Sequence, residues 1–572
     1  MKRFLVGASI LAAAIAAFGA LTLPPRRLTL SAFADGTIPG SLHIHTTRSD
    51  GRGTPDEIAA AAARAGLGFI VFADHGDATR TPDAPAYRSG VLCLDGVEIS
   101  TVGGHYVALD MPASPYPLAG EPRDVVEDVR RLGGFGIAAH PDSPKPSLHW
   151  RDWTTLIDGV EWVNPDTSWR IYAAAGWRSR FQLAEALLHY PIRSGETLAH
   201  LLTGFEQTMA RWNELADRHR VVGLAGVDAH AKLAPGNTDP GDNRFSLPLP
   251  SYDASFRTLS VHVQLDGPLS GDAAADAVRL MRAIRGGHLY TAIDGLAGPP
   301  AFEFTATNAR GAVHEGDDLG VGGPVSLHVR SNAPPGFTTV VWRGTKILAS
   351  DRRNDVTINA GDEPAVYRVE IRTADPAHPL TWLLSNAIYV RAPEVPKLAQ
   401  QTPPTMSMSI FDGRTTSGWH VETDATSLAA LEVAGASSGF GLRLRFGLAG
   451  GAAGDEWAAF VWGPPIGSPP GTMAPYDRLT FTARAERPMR VSVQLRGPEA
   501  GRTLRRWRRS VYLDTSDQEH TVYFDDLTPS TDTDVSNPPL SQVNAVLLVV
   551  DTTNTKPGTS GRIWLKDAAL QK

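Results

Sequence analysis

From Ser41 to about Ala292, short apolar runs alternate with segments of helical period. Gly68-Phe69-Ile70-Val71-Phe72 has the β-branched and aromatic content of a buried strand. The segment before it carries full helix-start signals: Thr54 at the N-cap, Pro55 at the first helical position, and Glu57 placed to close a capping box. Its alanine-rich body runs to Gly66, which predicts the helix end. The pattern recurs. Pro122 to Leu132 predicts a helix stopped by Gly133-Gly134, with Phe135 to Ala139 as the next strand. Trp212 to Arg220 closes another helix, followed by a strand from Val221 to Gly226. Such alternation predicts an α/β fold with a mainly parallel sheet, open or closed into a barrel.

After Gly295 the helical period disappears. Val325 to Val329 and Tyr367 to Ile371 alternate apolar and polar residues between turns of Gly, Pro, Asn and Asp, which predicts a small all-β sandwich. A linker rich in Pro and Gln (Pro393 to Pro404) precedes a third, again β-rich part. Its strands are expected at Gly441 to Phe446, Leu479 to Ala485, Val491 to Leu495 and Val546 to Val550. No fixed-period repeat is present. The expected domains are residues 1–35 as leader, 36–294 as the α/β domain, and 298–392 and 405–572 as two β-sandwiches.

The leader changes the picture of location. Lys2 and Arg3 precede an uncharged, largely apolar run from Phe4 to Leu23, ended by Pro24-Pro25 and Arg26-Arg27. About 20 apolar residues match one helical crossing of a bilayer core. Ala32-Phe33-Ala34 has the small-x-small pattern of a cleavage site but lies beyond two arginines, and Ala17-Phe18-Gly19 is a poorer one. The run therefore reads as an export signal or an uncleaved anchor, with the remainder periplasmic or extracellular and the membrane touched only through this segment. With 572 residues and a formal charge of −7, the chain has ample core material and no global attraction to nucleic acid. Cys93 is the sole cysteine, which excludes an internal disulfide and a zinc-cysteine finger.

Chemistry-bearing residues fall at the ends of the inferred strands. The first group is Leu42-His43-Ile44-His45, followed by Asp50-Gly51. On a strand, positions i and i+2 share one side, so His43 and His45 can share an ion. Gly51 is expected to give the turn after Asp50 its conformational freedom. Asp74-His75, Glu98 with His105, His140-Pro141 and Asp228-Ala229-His230 end the following strands. In an α/β barrel those ends converge on one face. Imidazole mixed with carboxylate suits zinc, manganese or iron better than an all-oxygen magnesium site.

These motifs, His43-x-His45-Thr46 with Ser49-Asp50-Gly51, Ala73-Asp74-His75, Gly96-Val97-Glu98, Ala139-His140-Pro141 and Gly226-Val227-Asp228-Ala229-His230, resemble the PHP (polymerase and histidinol phosphatase) family in order and spacing over about 200 residues. The resemblance implies a distorted (β/α)7 barrel holding two or three divalent ions, among Zn, Mn and Fe. It implies His43, His45, Asp50, His75, Glu98, His105, His140, Asp228 and His230 as ligands, with Glu98 bridging two ions and Asp74 orienting a ligand from behind. Ala73 departs from the family, where Thr is commoner. The arrangement of leader, barrel and sandwich, with Trp382 to Val390, is similar to the exported group that includes carbaryl hydrolase.

The expected reaction is hydrolysis by metal-bound hydroxide. A small-molecule or sugar-linked phosphoester is favoured on family weight, with an amide or carbamate ester as the alternative. Lys145, His149, Arg48 and Arg170 are the candidates for holding the substrate or its leaving group. Trp150, Trp153, Trp162, Trp169 and Trp177 crowd the region after His140; they could wall an apolar pocket, with ordinary barrel packing the expected role. The third part resembles galactose-binding-like sandwiches through Phe524 to Leu527 and Pro557 to Gly561, where Trp457, Trp462 and Trp507 could stack on sugars. The basic run Arg505 to Arg509 fits a solvated strand face or an anionic glycan. A non-catalytic, glycan-binding envelope protein is the reading from another class. Gly435 to Gly439 matches a serine-hydrolase elbow but is followed by a strand instead of a helix, so it is rejected.

Overall fold

A computed structural model describes residues 17–31, 33–233, 246–374, 379–392, 403–434, 441–451, 455–464, 471–500, 503–530 and 536–572. The start of the apolar leader, Ala32 of the cleavage-site pattern, the 393–402 stretch of the linker and the rejected elbow lie outside the described residues. Among the described residues, no helix is long and apolar enough to cross a membrane.

The chain divides into two compact units, one of residues 1–112 and 125–395, the other of 113–124 and 396–572. In the first, seven strands close a ring: β1 (Thr37–Ile44), β2 (Phe69–Phe72), β3 (Val91–Thr101), β4 (Gly104–Leu109), β5 (Phe135–Ala139), β6 (Gly159–Val163) and β7 (Val222–Ala229), with β7 pairing back onto β1. β2 is buried at every position, as a strand covered on both faces must be. Seven strands close as the distorted (β/α)7 barrel expected from the resemblance would require, but a helix does not follow every strand. β4 runs antiparallel to both neighbours, so a two-residue hairpin replaces the helix between β3 and β4. A loop alone joins β5 to β6.

Helix α1 (Pro55–Ala65) sits where its signals place it. Thr54 and Glu57 close the capping box, and Gly66 ends the helix at φ 84°. Helix α2 (Pro122–Arg131) precedes β5. Four helices fill the connection from β6 to β7: α3 (Pro165–Ala174), α4 (Trp177–His189), α5 (Ser194–Leu201) and α6 (Phe205–Ala216). After β7 come α7 (Tyr252–Thr258), β8 (Ser260–Gln264), α8 (Ala273–Gly286) and β9 (Leu289–Ala292). β8 and β9 extend the barrel sheet from β1 through antiparallel pairs.

That same sheet continues through Thr381–Ser385 into strands 365–372, 388–391 and 338–343, the first layer of the middle sandwich. Strands 302–308, 311–314, 325–331 and 355–361 form the second layer. Asn386 ties the continuation to the barrel, pairing with both backbone groups of Gly223 at 2.8 Å.

The second unit is a sandwich of two six-stranded antiparallel sheets. The four expected segments form strands at 441–447, 478–485, 489–500 and 545–551. Trp462 and Trp507 are 4% and 0% exposed within its core, which removes them as sugar-stacking candidates. Their side chains fill the space between the sheets. Trp457 is half-buried, with the Arg506 guanidinium 5.2 Å from its ring centre.

Candidate metal centre

The nine predicted ligands come together at one end of the barrel. Neighbouring histidine rings in the chain His43, His45, His75, His105, His140 and His230 stand 4.0 to 5.8 Å apart. Glu98 lies between them. Its Oε2 is 3.2, 3.3 and 3.1 Å from nitrogens of His43, His45 and His75, and its Oε1 is 2.7 and 2.8 Å from those of His105 and His140. Asp228 is 3.5 Å from His43 and 3.3 Å from His45. Asp50 is 3.4 Å from His45 and 3.2 Å from His230.

Four sets of three or four groups are each compact enough to hold one ion: His45, Asp50, His75 and His230; His43, Glu98 and His140; His43, His45 and Asp228; and His75, Glu98 and His105. Glu98 belongs to two of them. The fit to a cation rests on three buried atoms that lack hydrogen-bond partners, His43 Nε2, His45 Nε2 and Glu98 Oε2. Buried polar atoms are rarely left unpaired. These three converge, and an ion accepted by all of them would satisfy each.

The backbone supplies the convergence in a way that strand alternation alone does not. His43, His140 and Asp228 adopt φ values of 64°, 30° and 48°, a left-handed region costly for non-glycine residues. The ladders of β1 with β2 and β7 shift register across His43. His43 and His45 therefore meet through a bulge, and not because a regular strand points both to one side. Gly51 also acts differently from expectation. It is not among the glycines of positive φ, and its role is close approach: a Cβ there would lie 2.2 Å from the carbonyl oxygen of His45.

Partners behind the ligands settle which nitrogens face the cluster. Nδ1 of His140 lies 3.2 Å from the Leu148 carbonyl and Nδ1 of His230 lies 3.0 Å from the Asp228 carbonyl. A carbonyl only accepts, so each Nδ1 carries the proton and each Nε2 offers its lone pair inward. His43 Nδ1 meets Glu161 Oε1 at 2.5 Å with the same result. Sequence reasoning missed Glu161. Its Oε2 also accepts from the His140 backbone N–H and from Asn164 Nδ2. The only available signal was one acid in the apolar run Gly159–Val163. Tyr252 was missed as well: its hydroxyl donates to the His45 carbonyl at 2.8 Å and also lies 3.2 Å from that of His230, fixing both ligand backbones.

Among the described residues, the Asp74 carboxylate bonds to the loop after His45 and to no ligand side chain. It accepts from the Thr46 N–H, the Thr46 hydroxyl and the Ser49 hydroxyl at 2.7 to 2.8 Å, and so holds the loop that carries Asp50. Arg48 is drawn into ion pairs with Asp95 and Asp83, and Arg170 pairs with Asp166 one helical turn back. Lys145 is exposed and His149 half-buried in the loop after His140, and no ion pair involves Lys145 among the described residues. Trp150 and Trp162 are core residues, at 0% and 1% exposure.

Four carboxylates, Asp50, Glu98, Asp228 and Glu161, share this small volume. Burial opposes a charge on His43, yet the fields of Glu161, Asp228 and Glu98 outweigh it and raise its pKa well above the imidazole range. Against the same burial, Glu98 raises His140 to about 8, and Asp50 with Asp228 raises His230 to about 9. Burial pushes Glu98 and Asp228 up, but the surrounding histidines hold both well below the usual carboxylate range. His75 falls below its ordinary value, burial being the largest influence. The cluster thus demands positive charge, which protons or divalent ions can supply. Access is from one side: the side chains of His75, His230 and Asp50 are 33%, 23% and 15% exposed, against 0–1% for His43, His45 and Glu98. A cavity of about 100 Å³ lies beside His75, lined by Arg48, Arg80, Asp77, Val97 and Met111 among others.

No family model matches the chain, and neither does any curated protein. Among solved structures, the chain is similar to a family 11 carbohydrate-binding module of Clostridium thermocellum, 12% identical, covering 29% of this chain and 94% of that one at a TM-score of 0.23. A Bifidobacterium adolescentis protein provisionally named a metal-dependent phosphoesterase is 15% identical, covering 38% of this chain and 91% of that one at a TM-score of 0.22. Likenesses at these scores carry no argument about activity. What the geometry itself defines is a closed seven-strand barrel with His/Asp/Glu groups able to bind metal ions at one end, and a β-sandwich unit.

Proposed function

We propose that the protein is a metal-dependent hydrolase, acting on a phosphoester, with ions held by the nine residues that meet at the barrel end. One observation carries this reading: three buried, unpartnered donor atoms of His43, His45 and Glu98 face one another inside a set of six imidazoles and three carboxylates. Divalent ions bound there would acidify water and polarise the substrate oxygen. The chain's own residues would do the rest. Glu98, between two ligand sets, would hold neighbouring ions at fixed separation. Glu161 and the Leu148 carbonyl keep His43 and His140 in the ligating tautomer. The choice of phosphoester is supported by the PHP resemblance, with Lys145, exposed in the loop after His140, offered as the contact for an anionic group.

Elemental analysis of protein purified without chelator, with hydrolysis of p-nitrophenyl phosphate, bis-p-nitrophenyl phosphate and an aryl carbamate, tests the reading. Bound zinc, manganese or iron, with phosphoesterase activity lost in Glu98→Gln, is the expected result. Carbamate cleavage alone would shift the assignment to the amide and carbamate class. Metal-free, inactive protein that is retarded in glycan affinity gels through Trp457 would favour the envelope-binder reading instead. Export is part of the proposal, supported by the basic start and apolar run of the leader. N-terminal sequencing of the mature protein tells a cleaved signal from a retained anchor.

A further inference from the structure

Helix α4 presents an apolar stripe to solvent. Trp177, Phe181, Ala184 and Leu188 recur at helical spacing, and Trp177 and Phe181 are 74% and 53% exposed. Ile192, in the turn after the helix, is 65% exposed. Grouped exposure of large apolar side chains marks an interaction surface. Cations flank it: the Arg178 guanidinium lies 5.5 Å from the Trp177 ring centre, and Arg180 donates to the Ala173 carbonyl.

The apolar leader ends on this same helix. Residues 17–22 are helical, and the Phe18 ring meets Phe181 edge to face with centroids 6.0 Å apart. A Cβ at Gly19 would come within 3.0 Å of Leu188 Cδ2. The Thr22 hydroxyl and His189 Nε2 are hydrogen-bonded at 2.9 Å, and Arg193 donates to the Pro24 carbonyl. Leu21 is 86% exposed beside them. In sequence, residues 4–16 continue the apolar run behind Lys2 and Arg3.

We propose that the α4 face formed by Trp177, Phe181 and Ile192 rests in the interfacial layer of a bilayer containing acidic phospholipid. The inference rests on residues 4–23 being a retained anchor. With that run inserted, Phe18 lies in its last turn, and the ring contact fixes Phe181 at the bilayer surface. Aromatic side chains favour the headgroup level. Arg178 and Arg180 are placed to reach acidic headgroups from the flanks of the stripe. Residues 1–16 folded back on the face, or a second copy of the chain, are the competing occupants.

A fluorescent label decides among them. Cys93 is buried, so bimane attached to an Ala184→Cys variant of the full chain reports from the stripe. The chain is reconstituted on vesicles of phosphatidylethanolamine with a minor share of phosphatidylglycerol. Brominated acyl chains are expected to roughly halve the bimane emission, and iodide quenching to fall, as for a face buried to the acyl boundary. Vesicle-bound protein whose label stays open to iodide and blind to brominated lipid overturns the proposal. So does shielding from iodide before vesicles are added, with a monomer mass pointing to residues 1–16 and a doubled mass to a second copy. Intact mass of the vesicle-bound protein separates the two readings. Loss of residues 1–23 ends the anchor reading, while lipid quenching that persists without them keeps the surface and its disappearance removes it.

Discussion

Glu161 shows how one carboxylate organises the cluster. It fixes the His43 tautomer, accepts the His140 backbone N–H, and occupies space that exists only because residue 226 is glycine. Replacing it with the isosteric amide, Glu161→Gln, is expected to weaken metal affinity about 10- to 100-fold, the usual effect of losing such an outer partner. Competition with a chromogenic chelator measures this. Gly226→Ala would place a Cβ 1.9 Å from Glu161 Oε1. Glu161 cannot yield without releasing both histidines, so a loss of about 1–3 kcal/mol is expected in urea unfolding. An unchanged midpoint would show that the carboxylate moves freely.

At the scale of elements, strand ends and the loops behind them aim the ligands. The bulge at His43 and the left-handed backbones of His140 and Asp228 turn their side chains together, and their cost must be met by surrounding contacts. The loop after β1 is pinned by Asp74 through three hydrogen bonds and by Tyr252 through the His45 carbonyl. Asp74→Ala takes the acceptor from the Thr46 N–H and hydroxyl and leaves the Ser49 hydroxyl its longer contact to Asp50, and a loss of about 2 kcal/mol is expected. Its metal affinity should fall chiefly at the set containing Asp50. Tyr252→Phe removes one donor, and about 1 kcal/mol is expected. Thermal melts with and without added zinc separate the stability effect from the binding effect.

Across the whole molecule, the cluster couples stability to pH. In metal-free protein, His43, His140 and His230 have raised folded pKa values. The stabilisation from His140 and His230 is fully present below the ordinary value near 6.5 and is lost as pH rises through about 8 to 9, and that from His43 is lost in the same direction. Glu98 and Asp228 are depressed, so their contribution is present above the ordinary carboxylate pKa and lost in acid. Metal-free protein is thus expected to lose roughly 2 kcal/mol or more between pH 6.5 and 9. Added divalent metal should abolish that alkaline loss, because ions then supply the positive charge. Metal affinity itself should fall as pH drops through about 9 to 8, because His230 and His140 take up protons there. A melting temperature that is flat from pH 6.5 to 9 without metal would contradict this account.

Much was legible in the chain alone because it depends on local order. The capping box at Thr54, the glycine stops, the buried runs Phe69–Phe72 and Phe135–Ala139, and the placement of acids and imidazoles at strand ends all follow from neighbouring residues. Closure of the ring, the reversed strand β4, and the roles of Glu161, Asn164 and Tyr252 were not legible, since each depends on residues tens to hundreds of positions apart. Trp462 and Trp507 illustrate the same limit: exposed or enclosed, an indole reads alike in sequence, and only the facing sheet decided that both are core. Composition and spacing determined which groups can bind cations. Packing decided which of their atoms face one another with no other partner, because burial is a property of the whole fold and not of any segment.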